Sequence, residues 1–253
     1  RDEHLMRVGA NPLAVLQYTS GSTSAPKGVR LSHENLISNS RLIAAQLPEY
    51  AKGVNWLPPY HDMGLIGSIF TPLAGGIESI LMTPDMFLRK PLRWLEAISR
   101  FGGTTCGGPD FAYSLCARRI SNEQKEGLDL SSWVSAFCGA ERVRKPTIDA
   151  FCEAFEPWGF DRRAFTPCYG LAESTLCISF GERRKQPSTI RVNAKALAQG
   201  LVQAEEDADA PDVLEIVGCG PPMPGQELRL VNPTTLEVCG PNEVGEIWVS
   251  SAS

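Results

Sequence analysis

The sequence predicts an α/β fold, a mixed or parallel sheet with flanking helices and a small β-rich region near the C-terminal end. Three observations carry it. Apolar strand-like segments alternate with amphipathic helical ones from residue 13 to residue 180, the pattern of crossover connections over a sheet. The chain has 253 residues, 43% of them hydrophobic, enough to bury the core of one large domain or two small ones. Beyond residue 214 the pattern changes to short β-rich pieces punctuated by Gly and Pro.

Taken in order, residues 13–17 read as a buried strand and 29–31 as its hairpin partner across a loop rich in hydroxyls. Ser32 is expected to cap a helix with Glu34 in its first turn and Leu36, Ile37, Ile43 and Leu47 along one face. Further strands are predicted over 54–57, 77–82, 133–138 and 165–169, and helices over 92–100, 109–119 and 145–155. Residues 1–180 thus form the expected core. From 181 the chain is polar, with Arg183, Arg184 and Lys185, then a weakly helical Ala-rich patch over 192–202 and five carboxylates between 203 and 212. Strand-like pieces at 214–217, 227–231 and 245–249 suggest a small antiparallel sheet or barrel edge over 214–253.

Composition excludes several classes of function. Net charge is −5 and the cations are not sorted into a stripe, so nothing global attracts nucleic acid and any bound anion must be held by local groups. The eight cysteines are scattered without a C-x-x-C pair and only three histidines accompany them, which speaks for reduced structural thiols rather than a zinc site. No apolar run approaches the ~20 residues that span a bilayer, and the start, Arg1-Asp2-Glu3-His4, is charged without an apolar stretch behind it. A cytoplasmic protein is expected.

The stretch LQYTSGSTSAPKGVRLSH, residues 16–33, sets Thr19, Ser20, Ser22, Thr23 and Ser24 beside Gly21, Lys27 and Gly28. Glycines let backbone N–H groups converge, hydroxyls add donors and a lysine supplies a point charge, so the first candidate ligand is a phosphate. The Walker A loop does not fit. It needs G-x-x-x-x-G-K-[ST], whereas Pro26 precedes Lys27 here and Gly28 offers no hydroxyl to magnesium.

What the stretch resembles is the phosphate loop of the adenylate-forming (ANL) enzymes. Three more segments share the resemblance: WLPPYHDMGLIG (56–67), CGAERVR (138–144) and CYGLAEST (168–175), with GEIWVSS (245–251) similar to the strand that follows. Their order and spacing match as well. Within the superfamily the wording, including GGPDFAYSLC (107–116), looks like the fatty acyl-AMP ligases, and residues 181–213 lie where those enzymes carry an insertion absent from CoA ligases. Cys138 and Arg142 depart from the pattern, where a smaller residue and a proline are expected.

The resemblance implies an ANL-type N-terminal domain, incomplete at both ends, in which a downstream domain would bring a catalytic lysine. It implies ATP and Mg²⁺ as cofactors, a fatty acid as substrate and the phosphopantetheine arm of an acyl carrier protein as acceptor. Thr19, Ser20, Gly21, Ser22, Thr23, Lys27 and Gly28 would hold the phosphates, and Glu173 would bind Mg²⁺. Tyr169 would stack on the adenine within Tyr169-Gly170-Leu171-Ala172, with Gly139-Ala140-Glu141 on the other side. The catalytic set is Lys27, His61 and Glu173. His61 either contacts the substrate or packs. Leu65, Ile66, Ile69 and Phe70 either wall an acyl tunnel or form core, with Gly107 and Gly108 beside the substrate. A fatty acyl-CoA synthetase and a non-catalytic acyl or nucleotide-binding module remain as alternatives.

Overall fold

The computed structural model describes residues 9–19, 27–207 and 210–253. Strands β1 (Leu13–Thr19) and β2 (Lys27–Ser32) form an antiparallel ribbon that leads into α1 (His33–Gln46). Ser32 caps that helix by accepting from the Asn35 amide, while the Asn35 side chain accepts from the Ser32 amide. The buried face is Leu36, Asn39, Ser40 and Ile43. Ile37, expected on it, is exposed, because it sits about 100° around the helix from Leu36.

The chain continues through β3 (Lys52–Asn55), a π-helical segment (Met63–Phe70) running into α2 (Thr71–Gly75), β4 (Glu78–Leu81), α3 (Pro84–Arg89) and α4 (Leu92–Phe101). Then come β5 (Thr105–Gly108), α5 (Asp110–Arg119), α6 (Asn122–Lys125), β6 (Ser135–Cys138), α7 (Lys145–Phe155), β7 (Phe165–Gly170) and β8 (Cys177–Phe180). Six strands make one sheet in the order β4-β3-β5-β6-β7-β8, parallel except for the β7–β8 pair. Strands β5 and β8 escape sequence reading because TCGG and CISF carry too few β-branched or alternating residues to signal pairing.

The two faces of this sheet differ, and the difference is written in alternate residues. Val54, Cys106, Ala136 and Cys138 point to one side, into an apolar core with Trp94, Tyr113, Trp133 and Phe151 from the covering helices and loops. Gly53, Asn55, Thr105, Gly107, Ser135 and Phe137 point to the other, beneath α1, the π-helical segment and α2. Buried parallel strands are ordinarily apolar on both faces. A face of small and polar residues leaves room between sheet and helices.

The remainder is β9 (Thr189–Asn193), α8 (Ala194–Ala198), β10 (Val213–Val217), β11 (Glu227–Val231) and β12 (Glu246–Ser250). These strands pair as two ribbons, β9–β10 and β11–β12, rather than as one small sheet. The expected helical patch over 192–202 is corrected to the end of a strand and a five-residue helix, since Val192 and Asn193 pair with Leu214 and Val213. The expected boundary between 213 and 214 falls after the first residue of β10. Strand β10 crosses it, and residues 200–202 exchange backbone hydrogen bonds with residues 242–244. Residues 178–180 bond to 221–223, and Asn35 and Asn39 of α1 reach Ala252 and Ser253, which ties the β-rich region to the core.

All eight cysteines are free, and burial pushes the Cys152 and Cys177 thiols up to about 12, which keeps them inert. Among the described residues no helix is long and apolar enough to cross a membrane.

Candidate active site

A cavity of about 210 Å³ fills the space over the small-residue face of the sheet. Its apolar wall is built by Ile43 of α1 and Leu47 just after it, Pro72 and Ile77 after the π-helical segment, and Phe137, Leu176 and Phe180. Polar groups line it as well. His61, Asp62 and Ala140 lie beyond the carboxyl ends of β3 and β6, and Tyr169 and Gly170 form the carboxyl end of β7, where open α/β sheets bind ligands. Asn55 at the end of β3, Thr71 at the start of α2 and Thr105 at the start of β5 also line the cavity.

The loop from β3 to the π-helical segment positions His61. An ideal Cβ on Gly64 would stand 2.0 Å from the Pro58 carbonyl oxygen, so only glycine lets the helix start against that loop. Inside the helix the Thr71 amide donates to the Ile66 carbonyl, five residues back, a widened turn that often accompanies a ligand site. At its start Asp62 accepts from the Met63 amide at 2.6 Å and lies 2.6 Å from His61 Nδ1. The hydrogen bond to Asp62 favours the imidazolium and raises the His61 pKa above its usual value, against partial burial, which favours the neutral ring. A half-exposed ring whose protonation Asp62 favours therefore sits at the mouth of the cavity.

Ala140 at the site takes positive φ, 65°, as does Thr175, at 67°, next to the cavity-lining Leu176. Such backbone persists where surrounding structure over-determines it and clusters at ligand sites. Ala140 lines the cavity, whereas the neighbouring Glu141 carboxylate turns away and accepts from the Phe111 amide at 2.7 Å, at the start of α5. Asp110 braces the same loop: it is buried and accepts from the Arg144 amide at 2.8 Å and the Thr147 hydroxyl at 2.9 Å. Tyr169 lines the cavity, its hydroxyl pKa raised first by burial and then by the charge of Glu173. Leu171 is half-buried and Ala172 buried; Glu173 is exposed in the short turn that follows.

Several residues singled out from sequence stand elsewhere. Ile66 is fully buried and packs with Leu31 and Leu36, joined by Leu65 and Phe70, on the side of the helix facing the β1–β2 ribbon and α1. Neither they nor Ile69 line the cavity; Met63, Gly67 and Thr71, four residues apart, do. The packing reading of Leu65, Ile66 and Phe70 is therefore the one the geometry supports. Gly107 is pressed against Phe137 and Gly108 against Trp56, so both serve strand packing. Lys27 and Gly28 begin β2 opposite Thr19 and Tyr18. Ser20, Gly21, Ser22 and Thr23 lie outside the described residues, as does the Thr19 side chain. Sequence reasoning missed Asn55, Thr71, Thr105 and Phe137; the signal for Asn55 and Thr105 was a small or polar residue within a short strand, whereas nothing in the local pattern marked Thr71 or Phe137.

The AMP-binding enzyme family model matches residues 3–253. The chain belongs to the AMP-binding enzyme family. Among relatives of this AMP-binding chain, the medium-chain-fatty-acid–[acyl-carrier-protein] ligase JamA of Moorena producens is 43% identical over 97% of the chain and 42% of its own length. The long-chain-fatty-acid–AMP ligase FadD26 of Mycobacterium tuberculosis is 40% identical over 93% of the chain and 41% of its own length. A crystal structure of the fatty acyl-adenylate ligase from Legionella pneumophila, in complex with acyl adenylate and pyrophosphate, superposes with a TM-score of 0.92 at 45% identity. It matches 98% of this chain and 43% of that one. The chain thus spans about two-fifths of the length of these relatives, which carry the names of the branch its motifs resemble.

Proposed function

We propose that this protein activates a medium- or long-chain fatty acid with ATP, forming an acyl-adenylate in the cytoplasm for transfer to the phosphopantetheine arm of an acyl carrier protein. The observation that carries this reading is a cavity with an apolar wall whose mouth joins His61, Ala140 and Tyr169 at the carboxyl ends of the strands. The names of the similar ligases support the same chemistry.

In this reading a fatty carboxylate oxygen attacks the α-phosphorus of ATP, the new O–P bond forms and the bond to pyrophosphate breaks. The protein needs no nucleophile; it has to align the reactants and stabilise the charge that spreads over the phosphates. Lys27 and the hydroxyls of residues 19–23 hold the β- and γ-phosphates. His61 faces the carboxylate and α-phosphate, and Tyr169 covers the adenine with the backbone of residues 139–140 opposite. Among the described residues no group of three His, Cys, Asp or Glu side chains is set to hold a metal. Glu173 alone, an exposed hard carboxylate, fits Mg²⁺, which takes one or two carboxylates and completes its shell with phosphate oxygens and water. Bound there, the ion would offset phosphate charge.

The test is pyrophosphate exchange by the full-length protein with acetate, hexanoate and decanoate. Each buried methylene is worth about 0.8 kcal/mol, so four carbons bring about 3 kcal/mol, or roughly a hundredfold in kcat/KM. Lys27→Ala should lower exchange by roughly 10²–10³. Equal rates with acetate and decanoate would sink the fatty-acid reading.

A further inference from the structure

We infer that Asn39 of α1 is a positioning residue, which holds a strained turn at Thr175 and thereby fixes where Leu176 stands in the wall of the acyl cavity. This deepens the proposed function and rests on it. The Leu176 amide donates to the Ser174 carbonyl at 2.8 Å, and Thr175 between them has φ 67° and ψ −61°. Those are the marks of the rare form of γ-turn, whose central residue lies at about +75° and −65° and is strained. Thr175 is β-branched and fully buried, so nothing in its own side chain favours this backbone. Surrounding structure has to hold it.

Asn39 is placed to do so. It is fully buried on the inner face of α1, between Leu36 and Ile43, and its amide reaches both ends of the turn. Oδ1 accepts from the Cys177 amide at 3.1 Å, while Nδ2 donates to the Cys177 carbonyl at 3.0 Å and lies 3.4 Å from the Ser174 carbonyl. Nδ2 also donates to Ser253 Oγ at 3.1 Å. Cys177 opens β8, the last strand of the sheet, and there one helical side chain grips both its N–H and its C=O. Two bonds to one residue fix its orientation as well as its distance.

The residue placed by this grip is Leu176. Its side chain lines the cavity and packs against three separate apolar clusters, around Trp94, Phe180 and Ile66. Two glycines are fitted to it: a Cβ on Gly67 would stand 3.4 Å from Leu176 Cδ2, and one on Gly170 only 1.6 Å from the Leu176 carbonyl oxygen. Without the Asn39 amide, Thr175 is free to relax toward negative φ, and that rotation carries Leu176 away from the wall. Asn39 itself does not line the cavity, so it acts on the acyl chain through Leu176.

The experiment measures kcat/KM for decanoate and for hexanoate in pyrophosphate exchange by the full-length protein, in the wild type, Asn39→Leu, Asn39→Asp and each of these combined with Thr175→Gly. The ratio between two substrates does not depend on how much of the protein is folded, so a merely structural role lowers stability in urea and leaves the ratio alone. Four buried methylenes set the wild-type ratio at roughly a hundredfold. Asn39→Leu should lower that ratio by about fivefold or more, and a smaller drop overturns the inference. Glycine takes positive φ without strain, so adding Thr175→Gly should recover about twofold or more of the loss. A lowered ratio that Thr175→Gly does not recover also overturns it, since the effect would then not run through the turn. If Asn39→Leu does not fold, Asn39→Asp, which keeps the shape and the acceptor for the Cys177 amide but loses the amide protons, is read against the same limits. Wild-type selectivity that the Asn39 variants retain removes this inference only, whereas a wild type that exchanges with no fatty acid, or equally with both, removes the proposed function beneath it.

Discussion

His61 and Asp62 set the electrostatics at the mouth of the cavity with one hydrogen bond between neighbours in sequence. Because the folded pKa of His61 is raised, its contribution to stability is fully present below the unfolded value of about 6.5 and is lost as pH rises through the folded pKa. Asp62→Asn should lower the His61 pKa followed by NMR titration. Its destabilisation should shrink as pH rises from 6 to 9 toward a residue due to the lost cap on Met63. A destabilisation that stays constant over that window would mean that the imidazolium contributes nothing. Glu173→Gln keeps shape but removes a hard anionic ligand, so the Mg²⁺ concentration for half-maximal pyrophosphate exchange should rise. An unchanged magnesium dependence would move the metal to other groups.

At the scale of elements, α5 and the loop that carries Ala140 are joined through one buried carboxylate. Asp110 stands in the first turn of α5, where the helix dipole favours an anion, and reaches across to the Arg144 amide, the Thr147 hydroxyl and the Arg144 guanidinium. Asp110→Ala would leave buried donors without an acceptor, at a cost of about 3 kcal/mol in urea unfolding. It should also raise KM for ATP, since the loop 139–144 would lose its brace. A stability change under about 0.5 kcal/mol would show that water replaces the carboxylate at no cost. The helices over 92–101, 110–119 and 145–155 were legible because each buries a 3.6-period stripe on the apolar face of the sheet. The π-helical segment was not, for MGLIGSIF is apolar nearly all round and its periodicity names no face.

For the whole molecule, the segment 194–211 is the loop of a hairpin, closed where Asn193 pairs with Val213. Replacing it with a short turn would leave the β9–β10 ribbon closed and remove α8 and the acidic stretch. In the full-length protein, with CoA and a holo acyl carrier protein as competing acceptors, we expect the wild type to load the carrier protein and the shortened variant to gain acyl-CoA, both read by mass spectrometry. Efficient acyl-CoA formation by the wild type would promote the CoA synthetase alternative. No gain in the variant would make the segment a surface feature.

Local chemistry alone determined the α/β class, the capped helix after Ser32, the reduced cysteines and the segments whose order and spacing resemble the adenylate-forming enzymes. Each depends on residues close in sequence, where turn, cap and periodicity rules act. The tertiary structure decided which residues surround the cavity. Leu65 and Ile66 were plausible walls by hydrophobicity, yet the widened helix turns them toward Leu31 and Leu36 and leaves Gly67 and Thr71 over the sheet. The polar row of Ser79, Gly53, Thr105 and Ser135 comes from four separate strands, and only the strand order and register of the sheet bring them side by side. A sequence states which residue is polar; whether it meets water, a partner or an empty space is decided by long-range packing.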